Sequence, residues 1–458
     1  MTVAEKKSGH GHNTTLSDDY HSSSGSGADE GSAAHDVFGA EEHHDIKYKR
    51  LSWQLVAILM IAEIVSNGML SLPSAFAVVG MVPGIIIVAF LGIFATYTSW
   101  LLVQFKLRHP EVHTMADAGY IMFGPVGREI MAFGTFAFAI FATGSQLLAG
   151  QIALATLSDS KLCNLVYTAI FTVASLAVSL PRTFHGLGYV SILSVLSILM
   201  AGLVAMGAAG KEPVIGRSVE VVVTSDFYAA FASITNPVFS FAGHFMFFVL
   251  ISEMKEPKHA MRSAYCLQTF TTIYYIIFAA VTYGYLGSKV LSPSFSSLSP
   301  YWAKVSYGIA IPNLLLAAAL YAHTAAKVIF VRLFRKSDHL HSHTVLGWGV
   351  WIVLVVFCNI LAFLLATGVP IFNYLVGLAA SLFAAWFTYG VAGMFWLHDS
   401  FHDGAGFLEW RRQWGQFLLC AFTVLAGAFI CVAGLYVTIR QLIDAYAHGL
   451  VAKPFSCS

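Results

Sequence analysis

Long apolar runs alternate with short polar segments along the chain from Arg50 onward. Each run has about 20 residues or more, which is the length that an α-helix needs to cross a bilayer. We predict eleven membrane-spanning helices from these runs. They cover residues 53–79, 83–105, 124–157, 162–181, 186–209, 227–251, 264–287, 305–331, 345–367, 370–397 and 414–438. The pattern therefore predicts an all-α polytopic membrane protein.

Composition agrees with this class and sets the N-terminus apart. Of the 458 residues, 57% are hydrophobic and 11% are charged, whereas a soluble domain carries about 25% charged residues. Residues 1–50 contain no apolar run and are rich in Ser, Gly, His, Asp and Glu. We expect this segment to be a disordered cytosolic tail to which trafficking or ubiquitination factors would bind.

The basic residues predict the orientation, because segments on the cytosolic side of a membrane carry an excess of Lys and Arg. With the N-terminal tail in the cytosol, 18 of the 25 basic residues lie in cytosolic segments and 7 lie in external ones. An odd number of spans then places the C-terminal tail, residues 441–458, outside.

The first span is irregular at its middle. It contains the carboxylate of Glu63, the small polar segment Ser66-Asn67-Gly68 and Pro73. Polar groups and helix-weakening residues are tolerated at membrane depth where the backbone lines a cavity or is buried in protein. We predict a break between two half-helices at Ser66-Asn67-Gly68. The alternative is a continuous helix with a glycine contact face.

The sixth span has a second irregularity, from Thr235-Asn236-Pro237 to Gly243-His244. The first and sixth spans are five helices apart, so they run in opposite directions. Corresponding broken helices in two halves are the sequence sign of an inverted-repeat transporter. We predict a five-plus-five inverted repeat, with repeat 1 at 51–209, repeat 2 at 226–397 and one extra C-terminal helix at 414–440. Two independent kinks are the alternative.

Both irregular segments fall near the middle of the membrane. Glu63 lies 13 residues after Arg50, or about 20 Å along a helix, and His244 lies 9 residues before Glu253, or about 14 Å. Freed amide groups suit a carboxylate, and freed carbonyl groups suit an ammonium group. An amino acid carries both charges on one carbon, so this chemistry predicts an amino acid substrate.

The two segments also resemble a known family. The first span, with Glu63, Ser66-Asn67-Gly68 and Leu70-Ser71-Leu72-Pro73, resembles the opening helix of the amino acid/auxin permeases. Phe239-Ser240-Phe241-Ala242-Gly243-His244, followed by Ser252-Glu253-Met254-Lys255-Glu256-Pro257, is similar to the sixth helix and following loop of that family. The resemblance extends over about residues 45 to 440 and is strongest to the fungal neutral amino acid permeases. It implies proton-coupled symport of neutral amino acids into the cytosol.

The two breaks supply the predicted substrate-binding groups. Backbone around Ser66, Asn67 and Gly68 is expected to bind the substrate carboxylate. Oxygens around Phe239 and Ser240 are expected to hold the ammonium group. Phe241 is the predicted apolar gate, although an aromatic residue at helical spacing also serves plain packing, and Gly243 completes the set at the sixth-span break.

Glu63 is the predicted proton-coupling residue, since burial disfavours an ionised acid at the membrane centre. A structural acid hydrogen-bonded to backbone is the alternative. His244 and His323 are further candidates for the proton pathway. Thr324 is a weak candidate for an ion site, because Ala325-Ala326 follow it, and sodium coordination needs clustered oxygen ligands. We therefore predict a proton as the coupling ion, with no metal and no cofactor.

Cys163 and Cys457 are the two cysteines that fall at the predicted outer face. The outer compartment permits disulfides, so we predict a bridge between them, with two free thiols as the alternative. The other four cysteines lie within apolar spans.

Other functional classes fit less well. We find no metal-ligand or acid/base motif of an enzyme, and we predict that the protein is not an enzyme. The expected partners are the lipid bilayer and the amino acid, and no nucleic acid is expected. Polar residues gather at two breaks rather than along one helix face, which disfavours a channel. An amino-acid sensor of the same fold and a vacuolar exporter remain alternatives to a plasma-membrane symporter.

Overall fold

A computed structural model describes residue 38 and residues 45–335, 337–402, 406–448, 455 and 457. Within these residues the regular structure consists of helices and one isolated parallel bridge between Leu51 and Met254. The main helices are α1 (Trp53–Val79), α2 (Met81–Arg108), α3 (Met115–Leu157), α4 (Asn164–Ser179), α5 (Phe184–Lys211), α6a (Phe227–Ser240), α6b (Phe247–Ser252), α7 (Ala260–Leu286), α8 (Pro300–Phe334), α9 (Val345–Gly368), α10 (Phe372–His402) and α11 (Trp414–Ala447).

The all-helical, many-span architecture is confirmed. Ten helical segments of the described chain are long and apolar enough to cross a membrane. The eleventh predicted span is α4, which has 16 residues and a length of about 24 Å, shorter than a hydrocarbon core of about 30 Å. The count of eleven spans therefore stays a prediction.

Helices α1, α6 and α8 lie at the centre of the bundle. Nearly all of the most apolar stretch of α1, α6 and α8 is buried, whereas most of that stretch in α9 and α11 faces outward. Apolar side chains on the outer helices meet lipid, and polar side chains on the inner helices find protein partners. The bundle therefore holds its polar groups in an inner layer.

The segment just before α1 is packed rather than disordered. The Ile46 amide donates to the His341 carbonyl at 2.9 Å, and the Tyr48 hydroxyl donates to the Leu340 carbonyl at 3.1 Å. Tyr48 is buried, as is Phe38. The predicted disordered tail is therefore wrong for these residues, because aromatic side chains anchor them. Residues 1–37 and 39–44 lie outside the described residues.

We call the end of the bundle that holds Tyr48 the basic end, since Arg182, Lys327 and Arg335 also lie there. Helix α3 starts at this end with a kink, where Gly124 has a φ of 63° that favours glycine. The predicted start of the third span coincides with this kink.

The opposite end holds Phe455 and Cys457. Helix α11 continues to Ala447, so part of the predicted 441–458 tail is helical. Beyond it, the Phe455 amide donates to the Thr367 carbonyl at 3.2 Å. Cys457 and Cys163 form a disulfide with Cα atoms 4.9 Å apart. The predicted pairing is thus present in the structure.

Candidate functional site

The sixth span is broken at the centre of the bundle. Helix α6a ends at Ser240, and Phe241, Ala242 and Gly243 are not helical before a short 3₁₀ turn begins at His244. Pro237 lies inside α6a, so the break follows the proline rather than coinciding with it. The predicted interruption of the sixth span is confirmed.

The first span is not broken, and this part of the prediction is wrong. Helix α1 runs without interruption through Ser66, Asn67 and Gly68. Their amide groups belong to the helix and are not free to bind a carboxylate in this conformation. The side chains find partners on α3 instead.

Those partners lie on one turn of α3. The Ser66 hydroxyl donates to Gln146 Oε1 at 2.9 Å, and Asn67 Nδ2 donates to Ser145 Oγ at 2.9 Å. All four side chains are buried. Because these hydrogen bonds give the polar side chains of α1 partners at membrane depth, they do not require a broken backbone.

Gly68 serves as a contact point between α1 and α6a. The Ser240 hydroxyl donates to the Gly68 carbonyl at 2.9 Å. A Cβ atom at Gly68 would lie 3.0 Å from Ser240 Cα and 2.7 Å from the Tyr275 hydroxyl oxygen. Only glycine allows this approach without displacement. The alternative interpretation of the first span, a continuous helix with a glycine contact face, is therefore confirmed.

Tyr275 on α7 joins the same contact and was missed by the sequence analysis. Its hydroxyl lies 2.8 Å from the Ile64 carbonyl and 3.0 Å from the Ser240 carbonyl. The ring of Phe241 meets the ring of Tyr275 edge-on at 5.4 Å. Helix α7 contains several tyrosines, so no local pattern distinguishes this one. The predicted gate Phe241 is buried against it.

Glu63 faces the break in the sixth span. A Cβ atom at Gly243 would lie 3.9 Å from Glu63 Oε2, so the carboxyl group lies close to the non-helical segment. The Tyr321 hydroxyl of α8 also lies near it. Glu63 is 1% exposed, and in the described part of the chain neither carboxyl oxygen has a hydrogen bond of normal length and geometry. The acid is thus buried without a cationic partner among the described residues.

The two candidate histidines lie away from this carboxyl group. His244 Nε2 is 2.9 Å from both the Ala95 carbonyl and Ser99 Oγ, so its ring faces α2. His323 lies two residues after Tyr321 and packs against Phe184 and Trp351. Residues two apart do not share a helix face. The structure therefore brings neither ring together with Glu63.

Thr324 does not form part of a cluster of oxygen ligands. Its hydroxyl donates to the Leu320 carbonyl of its own helix at 2.8 Å. Phe239 of the predicted ammonium site packs edge-on against Phe138 at 6.5 Å. In this conformation Thr324 and Phe239 therefore contact other parts of the protein and not a ligand site.

Lys327 forms a buried ion pair that the sequence analysis did not predict. Its ammonium group contacts Glu253 Oε1, and both side chains are at most 1% exposed. The Phe184 amide donates to the other Glu253 oxygen at 3.3 Å. The ion pair was not predicted because its members are far apart in the sequence: Glu253 follows α6b, and Lys327 lies on α8.

A polar cavity opens at the opposite end of the bundle and reaches toward the centre. It has a volume of about 390 Å³ and lies between α1, α6a, α10 and α11. Ser74 and Asn236, joined by a 3.3 Å hydrogen bond, lie on its wall. Its lining, drawn from the described residues, includes no Asp, Glu, Lys or Arg. Deeper residues such as Glu63 and Ser240 are buried, so the centre is closed.

A membrane-spanning bundle with a broken central helix, a buried acid beside the break and a polar cavity above it belongs to the class of α-helical membrane transporters. The fold is similar to the solved structure of a Na⁺-coupled sialic acid symporter in a substrate-bound outward-open state. The TM-score is 0.54 at 10% identity, over 90% of this chain and 95% of that one. This likeness is one of fold.

The chain belongs to the family described as transmembrane amino acid transporter protein, which it matches over residues 49–440. It is 29% identical to the N amino acid transport system protein of Neurospora crassa, over 92% of this chain and 90% of the relative. It is 24% identical to vacuolar amino acid transporter 4 of Saccharomyces cerevisiae, over 63% of this chain and 42% of that protein. The family resemblance found in the first and sixth spans is confirmed.

Proposed function

We propose that this protein is a secondary active transporter that carries neutral amino acids together with a proton, and that Glu63 carries the proton. The placement of Glu63 is the observation on which the proposal rests. A buried carboxyl group with no cationic partner among the described residues favours its neutral form, and water reaching it favours the ionised form. Opening and closing of the centre would therefore change its protonation.

The break in α6 supports a coupling mechanism. The non-helical segment from Phe241 to Gly243 offers backbone groups to a zwitterion, and Gly243 lies against the Glu63 carboxyl group. A substrate bound at this segment and a proton bound on Glu63 would stabilise the same closed state. Coupling requires two ligands that favour one conformation.

The lining of the polar cavity supports neutral substrates. The cavity at the opposite end has an uncharged lining among its described residues, so it offers no fixed partner to a charged side chain. A substrate with an additional charge would enter this cavity without compensation, which costs free energy in a desolvated setting.

The proposed orientation places the basic end in the cytosol and the opposite end outside. The excess of Lys and Arg at the basic end supports this. The Cys163–Cys457 disulfide lies at the opposite end, and disulfides persist in oxidising compartments. We propose the plasma membrane: the relative named as vacuolar is matched over 42% of its own length, whereas the Neurospora crassa relative, whose name gives no vacuolar location, is matched over 90%.

Glu63→Gln tests the coupling role, because it keeps the shape of the side chain and removes its titration. We expect this variant to lose pH-driven accumulation of amino acid in proteoliposomes and to retain exchange of bound substrate. Glu220→Gln, which changes an exposed acid outside the spans, is the matched control and should accumulate substrate normally.

Accumulation by Glu63→Gln with an unchanged dependence on the pH gradient would remove Glu63 from the coupling role. Accumulation by the unaltered protein that follows an imposed sodium gradient, and not a proton gradient, would contradict proton coupling. Binding without any uptake would instead indicate an amino-acid sensor.

A further inference from the structure

A second cavity opens at the basic end, on the perimeter of the bundle between α3 and α8. It has a volume of about 600 Å³. Its lining includes the arginines Arg128, Arg332 and Arg335, which we call the cationic wall, and apolar side chains such as Phe136 and Ile329, which we call the apolar wall. A cavity with one cationic wall and one apolar wall matches the two parts of a phospholipid.

The cavity carries a formal excess of positive charge. Glu129 accepts from Arg332 at 3.0 and 2.6 Å and from Arg128 at 3.4 Å, so one carboxylate is shared by two guanidinium groups. Arg335 pairs with Asp117 at 2.9 Å. Three guanidinium groups thus face two carboxylates.

His113 adds no charge to this balance. Its side chain is buried on the cavity wall. Burial holds the pKa of His113 well below its usual range, and the nearby charges of Lys327, Arg335 and Lys106 act in the same direction. The net formal charge of the cavity is therefore +1 at neutral pH.

The position of the cavity suits a lipid rather than a soluble anion. Arg332 lies two residues before the end of α8, so the cationic wall is at the level where the hydrocarbon core meets the headgroups. Next to it, Ile130, Phe133 and Leu333 are 65, 72 and 61% exposed. In a membrane these apolar side chains face acyl chains, and an acyl chain extends naturally from the cavity along them.

We infer that the α3–α8 cavity binds an anionic phospholipid, with its phosphate group on Arg128 and Arg332 and its acyl chains on the apolar wall. Arginine binds phosphate through paired N–H groups, and basic pockets between helices on the cytosolic side bind anionic headgroups. The choice of lipid follows the proposed cytosolic orientation of this end. The site itself does not depend on which substrate is transported.

Such a lipid would join two helices that build the central site. Helix α3 carries Ser145 and Gln146, which bind α1, and α8 carries Tyr321, which approaches Glu63. A headgroup that holds the ends of α3 and α8 together should stabilise the closed bundle. Retention of the lipid is the direct measurement.

The experiment compares the purified full-length protein with its variants in phosphatidylcholine nanodiscs that contain phosphatidylserine. Bound lipid is counted by native mass spectrometry. We expect the Arg128→Gln/Arg332→Gln variant to lower phosphatidylserine affinity about tenfold. Arg411→Gln/Arg412→Gln removes two exposed arginines outside this cavity and should change the affinity by less than about twofold.

A gain of binding excludes misfolding as the cause. Glu129→Gln removes the carboxylate that competes for both arginines, so we expect tighter binding of phosphatidylserine. Equal losses in both double variants, or no gain in Glu129→Gln, would overturn the proposal. Displacement of the lipid by millimolar inorganic phosphate would identify a soluble-anion site and would equally overturn it.

Discussion

At Gly68 the absence of a side chain lets two central helices meet. The Gly68 carbonyl accepts hydrogen bonds from both Ser240 and Ser71, and the Tyr275 hydroxyl lies on the same contact. This point is where the continuous first span touches the last turn before the break in the sixth. Gly68, which the sequence analysis interpreted as part of a helix break, thus allows two helices to make close contact.

Gly68→Ala should destabilise the protein. The new methyl group would lie 3.0 Å from Ser240 Cα and 2.7 Å from the Tyr275 hydroxyl oxygen, and backbone cannot move aside as a flexible side chain can. We expect a loss of about 1–3 kcal/mol, as for overpacked cores, and reduced transport. Thermal unfolding of the purified protein measures the first effect.

Gly207→Ala is the matched control for Gly68→Ala. It also lies within a helix, but a Cβ atom there meets nothing within 4 Å. Alanine is the better helix former by about 1 kcal/mol, so this variant should be as stable as the unaltered protein or more stable. Equal destabilisation of the two variants would show that the Gly68 contact is not close.

Among the elements, α6b and α8 depend on each other through the Glu253–Lys327 ion pair. Lys327 also lies over the rings of Phe184 and Tyr48, at 4.5 and 4.8 Å. The pair therefore connects the second half of the broken span to α8, to the start of α5 and to the segment before α1. These elements close the basic end below the central site.

Lys327→Met should destabilise this end strongly. The substitution leaves the Glu253 carboxylate buried without its ammonium partner, and loss of one member of a buried pair costs about 3–5 kcal/mol. The double variant Lys327→Met/Glu253→Gln removes both charges and should recover part of the loss. Unfolding midpoints of the unaltered protein, of Lys327→Met, of Glu253→Gln and of the double variant form a double-mutant cycle.

A double variant whose destabilisation equals the sum of the two single effects would show that the charges do not interact. Arg217→Gln, which removes an exposed cation outside the spans, should leave the midpoint unchanged.

At the scale of the whole molecule, one covalent bond ties the C-terminus to the body of the bundle. Cys163 precedes α4 and Cys457 follows α11, 294 residues later. Two hydrogen bonds hold the same region, from Phe455 to Thr367 and from Tyr446 to Gly368. The disulfide thus joins the outermost helix to the fourth.

Cys457→Ser should lower stability, because the bridge restricts a long stretch of unfolded chain. Disulfides of this kind typically contribute about 2–4 kcal/mol. We expect a lower unfolding midpoint for Cys457→Ser, and we expect a reductant to lower the midpoint of the unaltered protein to the same value. The free cysteine Cys431 supplies the control, since Cys431→Ser should retain the response to reductant. Labelling of both Cys163 and Cys457 by a thiol reagent in protein from cells would contradict the bridge.

The sequence by itself determined the class of protein, the break in the sixth span and the burial of the acid in the first span. Each of these follows from local chemistry. Apolar length decides which segments cross a bilayer, and residues such as Pro237 and Gly243 weaken a helix wherever it packs. The pairing of Cys163 with Cys457 could be predicted because only these two cysteines fall at the outer face of the predicted topology.

Only the tertiary structure decided whether the first span breaks and which groups share the centre. Ser66 and Asn67 keep a helical backbone because Gln146 and Ser145 on α3 accept hydrogen bonds from their side chains. Local sequence contains no information on partners 78 or 80 residues away. The same reason hid the Glu253–Lys327 pair: the free energy of a buried polar group depends on the neighbour that the fold brings to it.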